Sequence, residues 1–193
     1  MKILAFVETT VKDRHGKVIS HHKARSRSFV RAFNHMICAQ CRGQSTPNPG
    51  ITTKDTGGTN RSLRTSGYGM VCTGGAGVTT YGTRVGTSAQ AVDIEDYQLI
   101  AAIAHGVGAG QLSHGACTVA YVGVVGSAST FTVSRTFTNG SGGPISVRET
   151  GIYNRFTQVG ATLIYLMSCR DNITEDVPDA GNLTVTYTIR IEA

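Results

Sequence analysis

The sequence predicts a mainly β protein: an antiparallel β-sandwich, jelly-roll-like, with one N-terminal amphipathic helix and an extended N-terminal arm. Three observations lead there. Of 193 residues 24 are Gly, none is Trp and only 16% are charged, a balance that suits strands and turns better than helical bundles. Apolar and polar residues alternate with period 2 over several stretches, most cleanly in LTVTYTIRI at 183–191, where Leu183, Val185, Tyr187, Ile189 and Ile191 face one way. Turn residues separate these stretches without long helical segments between them, the spacing of an antiparallel sandwich. The length allows one good-sized domain, large enough to bury roughly 70% of the unfolded chain's surface without staples.

Taken in order, residues 2–8 (KILAFVE) read as a short strand, 12–16 as a polar turn and 17–20 as a second short strand. The period then changes. Phe29, Val30, Phe33, Met36 and Ile37 fall at i, i+1, i+4, i+7 and i+8, one face of an amphipathic helix over 26–41. Ser26 or Ser28 serves as N-cap and Gly43 as the stop. Residues 42–66 lack any period and read as a long loop, a length usually tied to function in a compact domain. A strand resumes at 67–72, and 92–104 holds a helical turn or two capped by Asp93. Further strands are expected at 116–125, 130–138, 145–150, 161–169 and 183–191. This divides the chain into a basic N-terminal part, 1–66, and a sandwich body, 67–193.

The stretch 129–153 reads as a hairpin. Phe131, Val133 and Phe137 alternate with hydroxyl residues, then Asn139 to Gly143 supply a glycine-rich turn before Ile145 and Val147. One residue breaks its phase: Arg135 stands where an inward apolar side chain belongs. Glu149 occupies the matching phase of the second arm, so the two are expected to meet across the hairpin as a structural ion pair.

Charge is unevenly placed. Residues 1–70 carry 12 Lys/Arg against 3 Asp/Glu, and residues 71–193 carry 6 against 9. A basic first third on a mildly acidic body suits docking onto something negative. The run Lys23, Arg25, Arg27 and Arg31 has no interleaved stacking aromatics, so an acidic protein surface fits better than direct nucleic-acid contact. Arg25, Arg27, Phe29, Arg31 and Phe33 are the candidate docking residues. No segment reaches the about 20 apolar residues of a membrane helix. The apolar run at 3–7, stopped by Glu8, is too short for a signal-peptide core. Retention in a cytoplasm is the expectation.

The chemistry-bearing residues assemble no site. Cys38 and Cys41 form a CxxC at the end of the expected helix rather than its start, where the dipole would lower a thiol pKa. Zinc needs a second pair at short spacing, and Cys72 stands alone. The five cysteines, Cys38, Cys41, Cys72, Cys117 and Cys169, read first as buried thiols, and Cys38, Cys41 and Cys72 are candidates for disulfides between copies. The six histidines form no HExxH, and no residue sits in a nucleophile elbow. Residues 105–110 (HGVGAG) lack the Lys and the spacing of a phosphate loop and read as tight turns. Asp93, Glu95 and Asp96 lack the ladder of a calcium loop, and 172–179 (NITEDVPD) reads as polar loop. No cofactor, metal or catalytic residue is expected.

Several motifs together resemble a family of tailed-bacteriophage virion proteins. They are RSFVRAFNHMICAQ, DTGGTNRSL, DYQLIAAIAHG, the strand ending Glu149-Thr-Gly151-Ile152-Tyr153, the pair Arg170-Asp171, and the closing VPDAGNLTVTYTIRI. The likeness is densest from 129 to 191. It implies a structural, non-enzymatic virion protein, assembled in the host cytoplasm, whose partners are copies of itself and other virion proteins of capsid, neck or tail. A capsid decoration or neck/collar role is preferred to a tail, baseplate or fibre-adaptor role, because long shaft repeats are lacking. A receptor- or carbohydrate-binding module is the alternative, though the chain is poor in aromatic platforms.

Overall fold

Alternation sets the strand pairing, and the last strand shows it most simply. The computed structural model describes residues 2–26, 28–41, 52–64, 69–158 and 162–192. In it β10 (Asn182–Glu192) buries Leu183, Val185, Tyr187 and Ile189. It pairs antiparallel with β1 (Lys2–Lys12) on one side and β7 (Ala128–Thr138) on the other, in unbroken register. β2 (Val18–Ser26) and β6 (Ser113–Val125) complete this first sheet in the order β2-β1-β10-β7-β6. They are therefore its two edges.

The second sheet is built on β8 (Ile145–Gln158). β9 (Leu163–Val177) runs along one side of it. β5 (Gly82–Gly86) and β4 (Asn60–Arg64) share the other side, with β3 (Thr52–Lys54) beyond β4. Between the sheets lie Val7, Val11, Val133, Phe137, Leu183, Val185 and Tyr187 from the first, against Val85, Ile145, Val147, Ile152, Cys169 and Val177 from the second. Each such side chain contributes about 1.5–3 kcal/mol by leaving water. A third layer covers the back of the second sheet. There Met36 of α1 (Arg31–Cys41) packs with Leu63, Phe156, Ile164 and Leu166. Val30, Ala32 and Leu99 pack on Tyr153 and Met167, and the Leu99 amide donates to Tyr153 Oη at 2.5 Å.

The protein is thus mainly β with antiparallel sheets, but its parts divide differently from the expectation. Residues 1–66 do not stand apart from the body: β1 and β2 belong to the first sheet, and β3 and β4 to the second. Part of the expected 42–66 loop is that β3–β4 hairpin. Its turn is made by Asp55, which accepts from the amides of Gly57 and Thr59 and from Arg61 Nε. Residues 92–104 form turns and isolated bridges instead of a helical turn. β9 continues through the expected polar loop to Val177. Ile191 is exposed, unlike the other residues of its alternating set.

The 129–153 stretch is not a hairpin. β7 and β8 lie in different sheets, joined by a crossing connection. Buried Asn139 anchors that crossing, its amide donating to the carbonyls of Gly143, Val177 and Pro178. Nor do Arg135 and Glu149 pair. Ile145, Val147 and Ile152 all face the inter-sheet core, although 147 and 152 differ by an odd number. A register shift between Val147 and Glu149 switches the phase of the strand. Glu149 consequently points out of the back of the second sheet, away from the core that Arg135 enters from the first.

Candidate assembly surfaces

The two edges of the first sheet differ in chemistry. The end of β1, the β1–β2 turn and β2 carry five exposed cations, Lys12, Arg14, Lys17, Lys23 and Arg25, against one acid, Asp13. Lys23 pairs with Glu8 at 3.0 Å. The edge is held down from inside by Glu175 of β9, which is buried. Its carboxylate accepts from Thr9 Oγ1, from Ser20 Oγ at 2.7 Å and from His22 Nδ1 at 2.7 Å. Burial opposes the charge, but these hydrogen bonds outweigh it and hold the pKa below the ordinary carboxylate value. Ser20 Oγ also lies 3.2 Å from the same His22 nitrogen. Hydroxyl and carboxylate thus share one side of the imidazole, so they are not arranged as a catalytic relay, in which the histidine stands between them. The cluster is a clamp between β2 and the second sheet, beside a cleft of about 310 Å³ that Val7, Ala24 and Ile173 also line. Farther along, Ser26 and Ser28 donate to Asp171, fixing the crossing from β2 to α1.

The opposite edge, β6, has no charged side chain, and none occurs anywhere from 97 to 134. Its large exposed residues are apolar: Val119, Tyr121 (71% exposed), Val122 and Val124 (66%). Register places Tyr121 beside Phe131 and Ile189, and Val124 beside Ser129, Ile191 and Ile3. Phe131, Ile191 and Ile3 are exposed as well. Together they form an apolar strip contiguous with an open sheet edge.

The sequence-proposed docking residues are spread over several environments. Arg25 is exposed on β2 and Arg31 is exposed but paired with Glu95 at 2.7 Å. Phe29 and Phe33 stack on each other at 4.1 Å and are half-buried, with Phe29 bridged to Cys169 of β9, so the pair closes the sandwich end instead of forming a free face. Arg27 and the side chains of Cys38 and Cys41 lie outside the described residues. Cys72 is buried, and burial with the neighbouring Cys117 pushes its thiol up to about 12, unsuited to a disulfide between copies. Cys117 and Cys169 are buried free thiols.

Two arginines were misplaced or missed by sequence reasoning. Arg135 spends its guanidinium on four backbone carbonyls: Gly115 at 2.8 Å, Thr83 at 3.1 Å, Gly75 at 3.2 Å and Val78 at 2.7 Å. Those carbonyls come from β6, β5 and the loop before β5, so Arg135 clamps the first sheet to the second. Arg170 is the true partner of Glu149, at 2.8 Å, and also meets Asp96 at 2.9 Å and the carbonyls of Gln90 and Ala91. Glu149 in turn accepts from the amides of Ile100 and Ala101. The network binds the 88–101 segment to the back of the second sheet, with Asp96 as a structural anchor.

His114 on β6 is buried against Phe137 and His105, and its ring nitrogens have no hydrogen-bond partner among the described residues. Burial, with Arg135 and Arg84 nearby, pushes its pKa down to about 3 from 6.5. A lowered histidine pKa means the unfolded chain binds the proton first. Stability from this residue is therefore complete above pH 6.5 and falls as pH drops towards 3, by up to about 1.4 kcal/mol per pH unit. Urea unfolding at pH 7 and pH 5 is expected to show this loss in the native chain and a smaller one in His114→Phe. Equal losses would contradict the assignment.

Comparison with protein-family models, with curated proteins and with solved structures finds no match.

Proposed function

We propose that this chain is a non-enzymatic structural component of a tailed-phage virion that associates with itself and docks on the particle as a capsid decoration or neck/collar protein. The observation that carries the reading is the contrast between the edges of the first sheet. The end of β1, the β1–β2 turn and β2 offer five exposed cations to an acidic surface, whereas β6 offers an uncharged, apolar edge. The Glu149-to-Tyr153 motif and the closing 183–191 strand of the resemblance supply the particle type. In this reading the sandwich is jelly-roll-like, and the N-terminal helix closes its end against the back of the second sheet.

Docking through exposed cations is weakened by salt, since the Debye length shrinks from about 10 Å at 0.1 M to 3 Å at 1 M. Purified chain is expected to co-sediment with particles at low salt, to be released at high salt, and to bind poorly as the Lys17→Glu/Arg25→Glu variant. Both positions are exposed, so the fold is retained. A chain that remains in the supernatant at low salt would refute the docking.

A further inference from the structure

We infer that two copies of this chain join through β6, antiparallel across a two-fold axis, so that their first sheets become one continuous sheet of ten strands. The inference deepens the proposed function by naming the partner and the surface, and rests on it only for the biological setting.

Open edges in soluble proteins are ordinarily blunted by Lys, Pro, an inward-pointing charge or a bulge. β6 has no Lys, Pro or charged residue over its 13 residues. Its pairing with β7 is irregular between His114 and Cys117 and between Tyr121 and Gly123, but the run Cys117–Tyr121 between them is regular. The Cys117 amide donates to the Gly74 carbonyl, so the outward backbone groups of Val119 and Tyr121, which alternate with those bonded to β7, are the template for a further strand.

Three features select a second copy as that strand. An isologous interface packs one surface patch against the same patch of its mate, so a concentration of one charge there would face its like. The charge-free 97–134 region satisfies this, while the opposite edge, with five cations over 12–25, does not. Next, a two-fold axis perpendicular to the sheet keeps the inner faces of both copies on one side. Val119, Tyr121 and Val124 of each copy then become cross-strand neighbours of the same residues in the other, at about 5 Å. Finally, Phe131, Ile191 and Ile3 continue that strip inwards. This apolar strip thus meets its like, and no charge is desolvated.

Sedimentation equilibrium on the intact chain tests this. The native chain is expected to be a dimer, and Tyr121→Lys/Val124→Lys to weaken it by about 100-fold or more. Val18→Lys/Ile19→Lys, on exposed positions of β2, should leave the dimer intact. The dimer should persist in high salt, unlike docking on the particle. Amide exchange of the native chain provides a second reading that needs no variant: the Val119 and Tyr121 amides, which point away from β7, should be protected at high protein concentration and exposed on dilution. A monomeric native chain, a dimer indifferent to the β6 substitutions, or Val119 and Tyr121 amides whose exchange ignores concentration would overturn the inference. A monomer that still co-sediments with particles would remove this interface and leave the proposed function standing. A β6-dependent dimer that ignores particles would do the reverse.

Discussion

Replacing Glu149 with Ala is expected to lower the unfolding free energy by about 3–5 kcal/mol, the usual cost of removing one partner from a buried ion pair. The side chains of Glu149 and Arg170 are both fully buried. Burial works against the Arg170 charge, yet its bonds to Glu149 and Asp96 outweigh that and raise its pKa. Without Glu149 the guanidinium keeps Asp96, at 2.9 Å, but loses its Nε partner, and the amides of Ile100 and Ala101 lose their acceptor. Asp96→Asn should cost less, since it retains an acceptor oxygen at a partly exposed position. The paired change Glu149→Leu/Arg170→Met should be less destabilising than the sum of its single changes, because no buried charge is stranded. Urea unfolding of these variants and of the single changes Glu149→Leu and Arg170→Met checks this, and a Glu149→Ala loss below about 1 kcal/mol would contradict the network's role.

Arg135→Met is expected to cost about 3 kcal/mol or more. Met fills much of the volume, so the loss isolates the hydrogen bonds instead of the packing. Four carbonyls lose their donor together, and an unsatisfied buried polar group costs about 1–3 kcal/mol. Burial lowers the Arg135 pKa, so this clamp already works against desolvation. Arg135→Lys should recover only part of the loss, since a compact ammonium cannot span carbonyls from β6, β5 and the preceding loop as a planar fork does. Amide exchange would locate the damage: protection should fall around 74–83, where Gly75, Val78 and Thr83 lie, while β1 and β10 keep theirs. Uniform loss across both sheets would argue against a local clamp.

Much of the fold was legible because the first sheet obeys simple alternation. β10 buries the residues its pattern names, save Ile191, and β7 keeps one phase from Val133 to Phe137. The second sheet was harder to read. β8 changes face between Val147 and Thr150 and is buried on both sides, so a period-2 reading placed Glu149 on the wrong face. β9 carries its own signal in Cys169, Asp171, Ile173, Glu175 and Val177, but the two acids made the alternation look like a polar loop. Their partners Ser26, Thr9, Ser20 and His22 lie about 145 to 166 residues away, beyond any local pattern. Arg135 was recognisable as an anomaly, and its carbonyl partners were not, since any residue type can offer a carbonyl. The candidate surfaces divide in the same way. The basic bias of the first third and the missing charges of 97–134 are plain in the sequence. That the two become opposite edges of one sheet follows only from the strand order.

Quantitative mass spectrometry of purified tailed-phage particles, from a host carrying this coding sequence, tests the structural role most directly. The reading advanced here predicts this chain in multiple copies per particle, in fixed proportion to the capsid or neck proteins. Its absence from particles, with the chain abundant in the same lysate, would contradict that reading.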